Sequence, residues 1–201
     1  ESLINFMSEM INCLTYYYNT DKEPFQSLSA LPDDEAITIM EALADDTPFG
    51  ERFKNPAQYL KARRETEAWV REAFSLKGGR PKADFPISMV LGTSKWIEKA
   101  APNPDKHGEI RIPLSLFSKY DVSFTYPDSM ISRWLGRDQP EEYYQPAYHG
   151  KVFTISEILD LVTNKGLPEE SWGTNLPENL APYIEAQVWN HDLLDGYKNL
   201  L

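Results

Sequence analysis

The 201-residue sequence has one cysteine, Cys13, so no internal disulfide framework is available to it. It also lacks any apolar run approaching the roughly 20 residues a membrane span needs; the clearest is Met89 to Leu91 with its neighbours, so no membrane partner is expected. The N-terminus shows no basic region followed by a small-residue cleavage site, and no Asn-x-Ser/Thr acceptor occurs. Together with the lone thiol, these absences predict a cytoplasmic, reducing home. Only three histidines are present, and neither Cys-x-x-Cys nor His-Glu-x-x-His occurs, so neither a metal nor a cofactor is expected. Gly-x-Ser-x-Gly is missing too, so Ser129 carries no sign of a nucleophile elbow.

Bases are scarce, 20 against 31 acids, for a net charge of -11. Such a surface repels a phosphate backbone, so nucleic acid is not an expected partner. The charge is uneven: residues 1–50 hold a net of -9 and residues 51–100 a net of +5. The acidic first part is expected to pack beside the basic second part, leaving room for a local anion site within the basic stretch.

What is present reads as a self-sufficient core, with 41% hydrophobic and 12% aromatic residues. The expectation is a single α+β domain over 1–201, majority helical, with a small, mostly antiparallel sheet of three to four short strands. Its parts are a helical stretch over about 1–78, a mixed strand and helix stretch over about 84–165, and a C-terminal helix over about 180–200. Leu3, Met7, Met10, Ile11, Leu14 and Tyr18 share one helical face, which predicts a helix over 2–18. Acids after Pro32 open another helix, and Asn55 before Pro56 caps a long one that stops at Gly78-Gly79. Strands are predicted over 86–92, 109–112 and 121–126, with 151–153 as a fourth. Thr154-Ile155-Ser156-Glu157 is a capping box opening a helix to about Asn164.

On the long helix Arg63 falls inside the apolar stripe with Glu67 one turn on. A partly buried ion pair accounts for that arrangement, and so does a planar fork for a phosphate or carboxylate. Lys77-Gly78-Gly79-Arg80 is a C-cap rather than a phosphate cradle, because its glycines follow a helix. Asp128 and Ser129, between a strand and a helix, suit helix capping. His149 precedes Gly150 at a strand entrance, a place suited to proton transfer. The loop 136–150 carries Arg137, Tyr143, Tyr144 and Tyr148, which either lid the core or anchor a partner.

Two functions are compatible with these signals, and the first is favoured because no catalytic motif stands out. One is a non-catalytic interaction module whose acidic surface meets a basic protein partner through Tyr143, Tyr144, Tyr148 and Arg137. The other is an enzyme acting on a small anionic substrate, with Arg63 clamping the anion, His149 as general acid or base, and Asp128 or Glu67 orienting it. The second requires those residues to converge on one cleft.

Overall fold

The computed structural model describes residues 11–45, 49–101, 103–171 and 180–199. Five strands form one antiparallel sheet: β1 (Cys13–Asn19), β2 (Ile87–Leu91), β3 (His107–Pro113), β4 (Val122–Thr125) and β5 (Glu185–Val188), in the order β3-β1-β2-β5-β4. This corrects the expected sheet of three to four strands, and helices hold less than half of the described residues rather than most of them. The two errors share a cause. Residues 13–19 form a strand where a helix over 2–18 was expected, residues 2–10 lying outside the described part, and 185–188 form another inside the expected C-terminal helix. Only the short helix Asp192–Lys198 remains there. Residues 151–153 contribute no strand, only an isolated bridge from Phe153 to Phe124.

The pleat gives the sheet two faces of different chemistry. Register pairs Leu14 with both Leu91 and Ile112, Met89 with Ala186, and Ala186 with Phe124, so these side chains share one face. That face is apolar and enters the main core with Ile87, Ile110, Val122 and Val188. The opposite face carries Thr15, Ser88, Ser123, Thr125, Glu185 and Gln187, of which Thr15, Ser123, Thr125 and Gln187 are fully enclosed. A buried polar face is tolerated only where its groups find partners, and these do, as set out below.

The helices are α1 (Asp33–Leu43), α2 (Pro56–Leu76), α3 (Lys95–Ala100), α4 (Ser129–Asp138), α5 (Ile155–Lys165), α6 (Pro168–Ser171) and α7 (Asp192–Lys198). α5 begins at the capping box, Thr154 and Glu157 bonding reciprocally, and sends Ile158 and Val162 into the apolar core. The long α2 is capped by Asn55 and lies over the polar face, where Val70 and Phe74 pack on Trp189 and Val152. Arg64 fixes its direction: Nη1 donates to Asp33 at 2.6 Å, Nη2 to the Leu31 carbonyl at 2.8 Å and Nε to the Ser29 carbonyl at 3.1 Å. Beyond Val70, toward its N-terminus, α2 stands off the sheet and a cleft remains. Among the described residues no helix is long and apolar enough to cross a membrane.

Candidate active site

The cleft has two connected lobes that share Arg52, Arg63, Ser88 and Tyr183 in their walls. The inner lobe, about 350 Å³, runs between α2, the start of α4 and β5, and four acids reach it: Glu51, Glu67, Asp128 and Glu185. The outer lobe, about 440 Å³, lies over β1 and β2.

Glu185 is the centre of the inner lobe. As the first residue of β5, on the polar face, it is almost wholly buried. Its Oε1 accepts from Ser129 Oγ at 3.0 Å, from Gln187 Nε2 at 3.1 Å and from Ser88 Oγ at 3.4 Å. Its Oε2 accepts from the Ser129 backbone N–H at 3.2 Å. Four donors satisfy a carboxylate and would be wasted on an apolar side chain. The supporting row continues through the sheet: Gln187 Nε2 also donates to Thr125 Oγ1, Ser123 Oγ donates to Gln187 Oε1 at 2.9 Å, and Trp189 Nε1 donates to Ser123 Oγ at 2.9 Å.

Asp128 arrives beside it from the other chain direction. Tyr126-Pro127, a cis peptide, leads from β4 into α4, whose N-cap is Asp128, its Oδ1 accepting from Ile131 N–H at 2.9 Å. Burial, then the neighbouring charge of Glu185, push its carboxyl up to about 7, against the Ile131 bond and Arg52, which favour the anion. An acid next to a well-solvated-by-protein carboxylate thus holds its proton near neutrality.

Arg63 and Glu67 form the opposite wall. Arg63 Nε donates to Glu67 Oε1 at 3.0 Å, the only hydrogen bond of this guanidinium among the described residues, so both Nη groups are open to the lobes they line. Burial works against its charge, and Tyr59, Glu67 and Glu185 more than offset it. Burial raises Glu67, with Arg63 opposing. Glu67 Oε2 and Ser29 Oγ are both enclosed without a hydrogen bond. Trp96 and Tyr183, rings 6.4 Å apart, also line the inner lobe, and Tyr183 is shared with the outer one.

The expected site residues therefore divide. Arg63, Glu67 and Asp128 meet at one cavity. His149 lines neither lobe: it is buried beneath the 139–149 loop, Nδ1 accepting from the Gln145 N–H at 3.0 Å, its ring edge-on to Tyr148 at 4.6 Å. Burial pulls its pKa down to about 4, which keeps the imidazole neutral. Of the loop residues, Tyr148 is buried against Tyr126, Tyr143 packs on the core, Tyr144 is half-buried and Arg137 pairs with the adjacent Asp138. Among the described residues no group of three or more His, Cys, Asp or Glu is placed to hold a metal ion. Glu185, Ser129 and Arg52 were not anticipated as a set. The one sequence signal for Glu185 was an acid and an amide two apart, Glu185 and Gln187, in an otherwise apolar run.

No protein-family model matches the chain, and no solved structure matches it. Over 109 residues, 54% of this chain, it is 30% identical to the bifunctional heparan sulfate N-deacetylase/N-sulfotransferase of Drosophila melanogaster. The matched stretch is 10% of that protein, so the chain spans about a tenth of its relative's length.

Proposed function

We propose that this chain is an enzyme acting on a small anionic substrate by general acid–base hydrolysis. The observation that supports this most is the convergence of Asp128, Glu185 and Arg63 on one open cavity, from three elements far apart in sequence. A buried carboxyl whose proton is held toward neutrality, facing a cavity beside a second carboxyl group, is a candidate general acid. Asp128, still partly protonated at pH 7, gives its proton to the leaving oxygen or nitrogen. Glu185 takes the proton of the attacking water on Oε2, which has a single donor and a lone pair to spare. Arg63 offers its Nη groups to the substrate's anion, and Ser129 holds Glu185 in place through two hydrogen bonds. His149 has no part in the step.

The alternative of a protein-partner module with a basic partner draws less support, because Tyr148 and Tyr143 turn toward the core rather than outward. The test is turnover of a panel of sulfated, phosphorylated and carboxylated esters and amides, followed by NMR, with the parent and Asp128→Asn. The parent should convert at least one compound, with a rate that falls as pH passes about 7, and the variant should lose about 10²- to 10⁴-fold. Conversion at equal rates by both proteins would remove Asp128 from the chemistry and overturn the proposal.

A further inference from the structure

β3, at one end of the sheet, is bonded on one side only, to β1. Two backbone bonds just beyond the ends of that ladder fix its phase: Leu114 N–H donates to the Asn12 carbonyl at 2.8 Å, and Thr20 N–H to the Lys106 carbonyl at 2.9 Å. Hydrogen-bonded pairs alternate along an antiparallel ladder, so Gly108, Ile110 and Ile112 turn their backbone groups to β1. His107, Glu109 and Arg111 turn theirs outward, where no described residue bonds them. Pro113 falls in the outward set, so its missing N–H costs the sheet nothing.

An edge of this kind pairs with another strand unless its side chains guard it, and charges are the usual guard. Here they do not guard it against a copy of itself. Glu109 and Arg111 are exposed, flank Ile110 and pair with each other at 2.8 Å within the strand. In an antiparallel two-fold pairing centred on Ile110, each Glu109 lies directly opposite the partner's Arg111, so the two pairs merge into a cluster of four alternating charges without either having to break. Sliding one strand by two residues sets Glu109 against Glu109 or Arg111 against Arg111, so charge selects the centred register. The backbone fits that register as well: each Glu109–Arg111 pair exchanges both hydrogen bonds, and each His107 N–H meets a Pro113 carbonyl, where proline only has to accept. On the other face Ile110 meets its own copy. Leu116, one of two large apolar side chains left exposed among the described residues, follows the strand at the end that meets the partner's His107.

We infer that a second copy of this chain docks on β3, and that the two sheets join edge to edge into one continuous antiparallel sheet across a two-fold axis at Ile110. The inference is independent of the catalytic reading. His107 also lines the outer lobe, so the partner's Pro113, opposite it, borders the cleft, while none of the acids of the inner lobe belongs to β3.

Analytical ultracentrifugation of the full chain, from about 1 μM to about 1 mM, tests it. The proteins are the parent, Glu109→Arg, Arg111→Glu, an equimolar mixture of these two variants, and Arg111→Pro. The parent should pass from monomer to dimer as its concentration rises. Glu109→Arg and Arg111→Glu each set like charges opposite one another and should weaken self-association by roughly tenfold or more. Their mixture sets every acid opposite a base and should dimerise at least as tightly as the parent, a recovery that damaged folds could not produce. Arg111→Pro removes an N–H that only the partner uses, and it should weaken the dimer while leaving the far-UV circular dichroism unchanged. Single reversals that dimerise like the parent, or a mixture as monomeric as its components, would overturn the inference. So would a parent that is monomeric throughout, which would leave the edge to an extended peptide of another protein.

Discussion

At the scale of single residues, the cleft stores unfavourable placements that a stability-driven sequence would avoid. Asp128 is the clearest. Its carboxyl is raised from an ordinary 3.8 to about 7 by burial and by Glu185. Between those values the unfolded chain ionises it while the native protein does not, so its contribution to stability is present below about 3.8 and is lost as pH rises toward 7. Asp128→Asn removes the ionisation but keeps an acceptor for the Ile131 N–H, since Asn caps helices as well as Asp does. We expect this variant to be more stable than the parent at pH 8 by about 1–2 kcal/mol, or several degrees in Tm, while being inactive. Calorimetry at pH 8 and pH 4 decides it: the gain should shrink at the lower pH, and a variant less stable at pH 8 would show that the charge is not held at a cost.

At the scale of elements, two glycines set how α4, which presents Asp128, meets the end of its following loop. A Cβ on Gly136 would lie 2.4 Å from Gly150 Cα and 2.8 Å from Gly150 N, backbone that cannot swing aside. Gly136→Ala should therefore cost about 1–3 kcal/mol in urea unfolding. Gly196→Ala, in α7 with nothing within 4 Å of the new methyl, should be neutral or stabilise by up to about 1 kcal/mol. Equal effects for the pair would refute the steric account. The elements with local signals were legible: Asn55 capping α2, the Thr154 box opening α5, and Arg63 on the inward arc of α2 all follow from spacing. The two strands read as helices lacked such signals. Leu14 and Tyr18, four apart, fit a helix, yet Leu14, Tyr16 and Tyr18 equally alternate on a strand, and only pairing with β2 and β3 decides between them. β5 reads Glu-Ala-Gln-Val, the first three good helix formers, and its polar members face an enclosed polar row instead of water. Because that row is made across strands, no local pattern discloses it, and Glu185 went unseen with it. His149 shows the converse: its sequence position suggested proton transfer, but burial under its own loop made it a neutral acceptor.

At the scale of the whole molecule, these separate placements set opposing demands on pH. His149 has its pKa drawn from an ordinary 6.5 down to about 4 by burial, so below 6.5 the unfolded chain takes up a proton that the native protein refuses. Its share of stability is complete above 6.5 and is lost as pH falls toward 4. His191, lowered chiefly by burial, acts in the same sense, as does Glu157, lowered by Lys77 and the Thr154 backbone against the effect of burial. Asp128 and Glu67, both raised chiefly by burial, act in the other. Over roughly pH 4 to 6.5 the two sets offset each other, and each proton difference contributes a slope of at most about 1.4 kcal/mol per pH unit. The parent's urea midpoint should therefore vary little across this window, and single substitutions should unmask the two sides. His149→Asn, which keeps an acceptor for the Gln145 N–H, should lose stability as pH rises from 4.5 to 6.5. Asp128→Asn should lose stability as pH falls over the same range. Profiles for the two variants that run parallel to the parent's, displaced only in height, would mean that both groups titrate alike in the folded and unfolded chain, and the electrostatic account of the cleft would fall with them.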